Sequence, residues 1–255
     1  MVPPHPPLSR LRVTLLQVRD HEDPMLLHEQ ECFLRHGAID PDRLRPFNVI
    51  TAPPPLSLLD TTDVVMLGGS GDYSVDEEAG DLSWFPPMAE LVLASLERGL
   101  PFFGTCMGIQ VLARALGGSV VCDPTRQEIG TFEVNLTEAG RTDPLLSNLP
   151  SPFLANLGHK CRVERLPRGG VVLARSERCP VQALRLDRGL VYATQFHPEL
   201  DYHGMRLRIT TYYEKYKTGD GTGERDRLFA AIRPEGTPMP LIADFLALAA
   251  RQLGN

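Results

Sequence analysis

Residues 101–110 read PFFGTCMGIQ, and this stretch decides the fold of the chain. A short apolar run ends in Gly-x-Cys-x-Gly, and an apolar-periodic segment at residues 109–116 follows at once. This is the cysteine form of the nucleophile elbow, a sharp turn that joins a strand to a helix. Gly104 and Gly108 remove Cβ atoms that would collide around a nucleophile in a strained backbone conformation. The stretch therefore predicts a strand, a nucleophile at Cys106 and a helix.

Two interpretations of Cys106 remain open on this stretch alone. At the N-terminus of a helix, the positive end of the dipole favours a thiolate over a thiol. A buried cysteine that only fills the end of a strand is the more common fate of a free thiol. A second motif is needed to decide between them.

The second motif is His197-Pro198-Glu199, far downstream of the elbow. A β-prone run at residues 190–196 leads straight into it, and proline ends the strand because it cannot donate to a sheet ladder. A thiol needs a base that accepts its proton, and the base needs a third group that fixes its tautomer. Without the elbow, a histidine in such a turn is at least as often a structural residue as a catalytic base. Together with the elbow, the motif predicts a triad of Cys106, His197 and Glu199.

A glycine-rich loop follows a third apolar strand, which is predicted at residues 64–67. Elbow enzymes complete the oxyanion hole with one N–H after the nucleophile and one N–H from such a loop. The predicted donors are the amides of Met107 and Gly69. A phosphate-binding loop fits poorly because Walker A spacing is absent, whereas a plain turn stays possible.

Strands alternate with helices along the first half of the chain. Strands are predicted at residues 11–18, 47–52, 64–67 and 102–105, and helices at 21–34 and 86–98. Apolar strands of this kind indicate a parallel sheet covered on both faces, with sites at the carboxyl ends of strands. Short β-type runs at 119–122, 129–136, 153–157, 171–175, 181–186 and 190–196 predict further strands, in part antiparallel. The fold class is therefore α/β, with an open, mostly parallel sheet, helices on both faces and an antiparallel section.

The motifs GTCMGIQ (104–110), QFHPE (195–199) and Gly68-Gly69 resemble the class I (triad-type) glutamine amidotransferase family. The likeness is greatest to glutaminase domains of the GMP synthetase type, including stand-alone members, and covers about residues 11–200. It implies a flavodoxin-like α/β domain over 11–200, a flexible tail over 1–10, and a helical C-terminal extension over 201–255 packed on the same domain. Helices are predicted there at 202–217 and 239–253.

The resemblance also implies a mechanism. Cys106 would attack the side-chain amide of glutamine, His197 would transfer protons, and Glu199 would orient the imidazole. No cofactor or metal is expected, and ammonia would pass to a separate synthetase subunit. An ATP-pyrophosphatase module is not expected in this chain, since its SGGxDS loop is missing.

Further residues carry over as substrate contacts. The resemblance assigns Gly68, Gln110 and His159 to the glutamine pocket. Lys160 and Cys161 depart from the small and acidic residues that family members often carry after that histidine.

Composition excludes several other classes of function. The chain has 255 residues, of which 42% are hydrophobic and 23% charged, as in an ordinary globular protein. A formal net charge of −6 leaves no basic footprint for nucleic acid, and no apolar run is long enough for a membrane span. Five cysteines without a CxxC pair predict neither a disulfide framework nor a zinc site, which fits a reducing cytoplasm.

Three functions follow as hypotheses. The first is a glutamine amidotransferase, or glutaminase, subunit. The second is a γ-glutamyl hydrolase that uses the same triad on γ-glutamyl amines or peptides. The third is a regulatory protein that keeps the fold without useful turnover, and an intact Cys106, His197 and Glu199 set argues against it.

Overall fold

The computed structural model describes residues 10–76, 80–217, 223–234 and 240–254. The predicted N-terminal tail, except for its last residue, lies outside the described residues. The strands are β1 Val13–Gln17, β2 Leu44–Asn48, β3 Val64–Leu67, β4 Phe102–Thr105, β5 Ser119–Cys122, β6 Glu128–Leu136, β7 Phe153–His159, β8 Cys161–Arg165, β9 Gly170–Arg175, β10 Ala183–Leu186 and β11 Val191–Thr194. The α-helices are α1 Met25–Gly37, α2 Phe85–Glu97, α3 Met107–Ala115, α4 Glu138–Arg141, α5 Tyr202–Thr211, α6 Tyr213–Tyr216, α7 Glu224–Ala230 and α8 Leu241–Gln252.

The central sheet has nine strands in the order β2-β1-β3-β4-β11-β10-β9-β6-β7. The first five strands in this order are parallel to one another, and the remaining four pair antiparallel. Strands β5 and β8 form a separate antiparallel pair. The predicted α/β fold class, with a mostly parallel open sheet and an antiparallel section, is confirmed.

Helices cover both faces of the sheet because the parallel strands are apolar on both sides. On one face, α1 and α8 pack through residues such as Phe33 and Phe245 against Leu15 and Met66. On the other face, α2 and α3 pack through residues such as Leu91 against Leu16 and Val65. All four residues of β3 and of β4 are buried, so these strands are enclosed between two layers of helices.

Several helix boundaries differ from the sequence prediction. Helix α1 begins at Met25 rather than at residue 21, because Pro24 occupies its N-cap position and the carboxylate of Asp23 accepts the Met25 N–H. The single helix predicted over 202–217 is broken at Tyr212 into α5 and α6. Helix α7 was not predicted. No helix in the described part of the chain combines the length and the apolar character that a membrane crossing needs.

A disulfide joins Cys122 of β5 to Cys161 of β8. The prediction that the five cysteines form no disulfide is wrong for this pair. Strand β8 has no clear alternation of apolar and polar residues, so its pairing with β5 could not be foreseen from spacing. Cys32, Cys106 and Cys179 are free and buried.

Candidate active site

The elbow has the strained backbone that its sequence indicates. Cys106 has φ 51° and ψ −94°, in the left-handed region that L-residues rarely adopt. A Cβ on Gly104 would lie 2.7 Å from the carbonyl carbon of Gly108, and a Cβ on Gly108 would lie 2.6 Å from the oxygen of Leu67. Both positions therefore require glycine if the turn is to stay this tight.

Three strand ends meet at this turn. Strands β3, β4 and β11 are adjacent and parallel, so their carboxyl ends lie at the same edge of the sheet. The Cys106 N–H donates to the Thr194 carbonyl at 2.7 Å, which ties the elbow to the end of β11. The backbone then leads to His197, whose N–H donates to Asn156 O at 3.0 Å. Sequence-distant segments thus converge as predicted.

His197 and Glu199 form a buried pair. The Nδ1 atom of His197 lies 2.6 Å from Oε1 of Glu199, and both side chains are almost fully buried. Burial alone would lower the pKa of His197, but Glu199 and Cys106 raise it to about 9. Burial would likewise raise the pKa of Glu199, but His197 and Arg208 hold it below its ordinary value. Glu199 therefore favours the imidazolium form of His197.

Cys106 and His197 border the same small space. A Cβ built on Gly69 would lie 3.1 Å from Cε1 of His197 and 3.7 Å from Cβ of Cys106. A hydrogen bond with Cys106 is one of the causes of the raised pKa of His197. The sulfur, imidazole and carboxylate thus follow one another in space, which is the order that proton transfer from a thiol needs.

Two glutamines connect the nucleophile to the cavity wall. Gln195 Nε2 donates to the sulfur of Cys106 at 3.6 Å. Gln110 Nε2 lies 3.2 Å from Gln195 Oε1 and 3.0 Å from the carbonyl oxygen of Cys161. Gln110, a predicted substrate residue, therefore lines the cavity and also fixes its wall. Gln195 belongs to the QFHPE motif, but its contact with the sulfur depends on the fold and is not evident from the sequence.

The glycine-rich loop is held by a residue that sequence reasoning missed. The Gly69 N–H donates to Oε1 of Glu29 at 2.9 Å, and a Cβ on Gly68 would lie 2.5 Å from the same carboxylate. In this conformation the Gly69 amide faces Glu29. Gly68 packs against Glu29 and donates its N–H to Leu16 O. The Met107 N–H, at the first turn of α3, has no intrahelical partner by position.

Buried charges surround this loop. Arg19 pairs with Glu29 at 2.9 Å, and Arg208 of α5 lies 3.8 Å from Glu29 and 3.6 Å from Glu199. Arg208 Nη1 is also 3.4 Å from His197 Nδ1. Glu29 occupies the apolar face of α1, four residues before Phe33. A carboxylate on such a face was the signal in the sequence that could have pointed to this network.

His159 lies at the cavity with a second buried carboxylate behind it. Its Nδ1 is 3.1 Å from Cys161 O, and its Nε2 is 3.1 Å from Oε2 of Glu128. Glu128, His159 and Cys179 bring ligand-type atoms within 4.8 Å of one another, so a metal could be considered. Gln182 Nε2 already donates to Glu128 at 2.7 Å, and burial raises the pKa of the Cys179 thiol to about 12. The hydrogen bonds account for this cluster as it stands.

These groups enclose a cavity of about 190 Å³. Cys106, Met107, Gln110 and His159 line it, but Gly68 and Gly69 do not. The C-terminal helices contribute as well, because Lys215 and Tyr216 of α6 form part of the wall. The arrangement can attack an electrophilic carbon at Cys106 and move a proton through His197.

The family model for glutamine amidotransferase class-I matches residues 45–210. A GMP synthase (glutamine-hydrolyzing) of Thermosipho africanus is 38% identical over 107 residues, which are 42% of this chain and 20% of that protein. One of the subunits of the GMP synthase (glutamine-hydrolyzing) of Sulfurisphaera tokodaii is 33% identical over 154 residues, which are 60% of this chain and 76% of that protein. The chain spans less than two thirds of the length of several such relatives.

A solved glutamine amidotransferase from Thermotoga maritima has the same fold. It aligns with a TM-score of 0.68 and 23% identity, and the alignment covers 96% of this chain and 99% of that chain. The family model covers more than half of the sequence and includes the glycine-rich loop, the elbow and the His-Pro-Glu motif. The chain belongs to the glutamine amidotransferase class-I family.

Proposed function

We propose that this protein hydrolyses the side-chain amide of glutamine to glutamate and ammonia through a thioester on Cys106. The observation that carries the proposal is the buried His197–Glu199 contact of 2.6 Å beside a cysteine with φ 51° that opens into a cavity. Relatives named GMP synthase (glutamine-hydrolyzing) support the choice of glutamine.

The first half of the reaction forms the thioester. His197 holds the proton of the thiol, and the sulfur of Cys106 attacks the amide carbon of the substrate. As the tetrahedral intermediate collapses, His197 gives its proton to the nitrogen and ammonia leaves. Glu199 keeps the imidazole oriented and favours its protonated form, as the pKa of about 9 for His197 indicates.

The second half consumes a water molecule. His197 accepts a proton from the water while its oxygen attacks the thioester carbon. Glutamate leaves as the Cys106–carbon bond breaks, and the thiolate and imidazolium pair is restored. Both halves develop negative charge on the carbonyl oxygen, so donors are needed there.

The Met107 amide is the proposed first donor to this oxyanion. The Gly69 amide is the proposed second donor, although it donates to Glu29 in the conformation described above. Its use would require the loop to turn away from Glu29 when substrate binds. Ammonia would then pass to a separate synthetase subunit. This part of the proposal is supported by relatives that are themselves named as single subunits of a GMP synthase.

The test is ammonia release from glutamine by the wild-type protein and by Cys106→Ser. The wild type should release ammonia, and the serine variant should lose nearly all turnover because a hydroxyl is a far poorer nucleophile here. Equal rates for the two proteins would refute the assignment. A γ-glutamyl alkylamide measured in parallel distinguishes an amidotransferase from a γ-glutamyl hydrolase, which would prefer the alkylamide.

A further inference from the structure

One wall of the cavity plays no part in the triad. The end of β7 contributes His159 to this wall, the turn to β8 contributes Lys160, and α6 contributes Lys215. Two of these side chains are ammonium groups. Among the residues that the structure describes, no Asp or Glu lines the cavity. This wall therefore favours a negative group on the substrate.

The two lysines differ in how their charge is balanced. Lys215 forms an ion pair with Asp72, which follows the glycine-rich loop. Lys160 donates only to the backbone carbonyl of Lys215, and no ion pair of Lys160 is found within the described ranges. An ammonium group has three N–H donors, so two remain for a ligand. Lys160 is also half-buried, which leaves its charge less hydrated than that of a surface lysine.

The nearby carboxylates are already engaged. Glu128 lies behind His159 and accepts hydrogen bonds from Gln182 and the imidazole. Asp72 is held by Lys215. The ammonium group of a substrate would thus meet the ammonium group of Lys160 and neutral walls. Among the described residues that line the cavity, none offers it a free carboxylate.

We propose that Lys160 binds the carboxylate of the substrate, and that the site recognises its substrates by this carboxylate rather than by an ammonium group. The proposal rests on the proposed amide hydrolysis and names its substrate class. That class is carboxylic acids with a terminal amide, whose α-nitrogen is free as in glutamine, acylated, or absent. A carboxylate on a half-buried ammonium makes charge-assisted hydrogen bonds, whereas the α-nitrogen gains no acidic partner.

Four substrates separate these contributions. Glutamine carries both charged groups, N-acetylglutamine and glutaric acid monoamide keep only the carboxylate, and glutamine α-amide keeps only the ammonium. We expect the three carboxylates to have kcat/KM values within about threefold of one another. The α-amide should be poorer by about tenfold or more, as for loss of one charged hydrogen bond.

The variant Lys160→Gln should lower kcat/KM for the three carboxylates by about tenfold, mainly through KM, and leave the α-amide unchanged. Lys160→Arg should recover most of the loss. Lys217→Gln is the matched control, since Lys217 pairs with Glu214 and does not line the cavity. If Lys160 had only a structural role, Lys160→Gln would lower kcat/KM equally for all four substrates.

Equal losses on all four substrates, or rejection of N-acetylglutamine by the wild type by more than about tenfold, overturn the proposal. If the wild type hydrolyses glutamine in those cases, the proposed function stands without it. If the wild type hydrolyses none of the four, the proposed function fails instead. Calorimetry then measures the binding of the same four compounds to Cys106→Ala and to the double variant that also carries Lys160→Gln. Weaker binding of the three carboxylates alone supports the proposal, and unchanged affinities overturn it.

Discussion

The change Glu199→Gln removes a charge while it keeps the shape and a hydrogen-bond acceptor. His197 has its pKa raised from 6.5 to about 9, and Glu199 is the largest of the groups that raise it. A rise of this size corresponds to roughly 3 kcal/mol in favour of the imidazolium. Without Glu199, burial would dominate and lower the pKa of His197.

The sign of the effect on activity follows from the acid role of His197. Below its pKa the imidazole carries the proton that ammonia needs on leaving, and above it that proton is lost. The kcat/KM of the wild type should therefore fall above pH 9, and that of Glu199→Gln should already fall at a lower pH. His197→Ala should lose more activity than Glu199→Gln at every pH, because it removes the proton-transfer group itself.

The assay is the initial rate of ammonia release at low glutamine concentration between pH 5.5 and 10 at constant ionic strength. Asp143→Asn is the control, because it also removes a buried carboxylate, one that contacts Tyr192 and Arg185 away from the triad. The alkaline limb of the pH profile of Asp143→Asn should remain that of the wild type. An unchanged limb in Glu199→Gln would refute the electrostatic role of Glu199 and leave only orientation.

Two further predictions concern the elbow and the disulfide. Gly104→Ala should lower the free energy of unfolding by about 2 kcal/mol or more, measured in urea, because its Cβ would lie 2.7 Å from the Gly108 backbone. Gly80→Ala should change little, because its Cβ would meet no atom within 4 Å among the described residues apart from its chain neighbours; equal stabilities of the two variants would contradict the strained turn. Thiol titration of the denatured protein should detect three thiols, and five after reduction of Cys122–Cys161. Five thiols before reduction would exclude that bond.

The layout of the parallel half of the sheet could be predicted because its signals are local. Strand β4 and the elbow share one short stretch, where two glycines are needed within five residues. Strand β3 ends at a glycine pair, and Pro198 ends the segment after β11. Since parallel strands align their carboxyl ends, these local signals were enough to place Cys106 and His197 at one edge. The catalytic roles themselves remain predictions.

The rest depends on contacts between distant residues. The disulfide requires the pairing of β5 with β8, and no spacing in the sequence encodes that register. Glu29 reaches the glycine-rich loop only because α1 packs beside β3, so its hold on the Gly69 amide was not foreseen. Arg208 likewise reaches the triad from α5, outside the motifs from which the site was predicted. Glu29 and Arg208 are charged side chains whose burial is set by packing.

The central claim is that the sulfur of Cys106 becomes acylated by the substrate. The most direct measurement is peptide mass spectrometry of the wild type quenched in acid during turnover of glutamine. The account predicts a glutamyl group on the peptide that contains Cys106, and none in Cys106→Ala. A glutamyl adduct on Cys32 or Cys179, or turnover of glutamine that persists in Cys106→Ala, would contradict it.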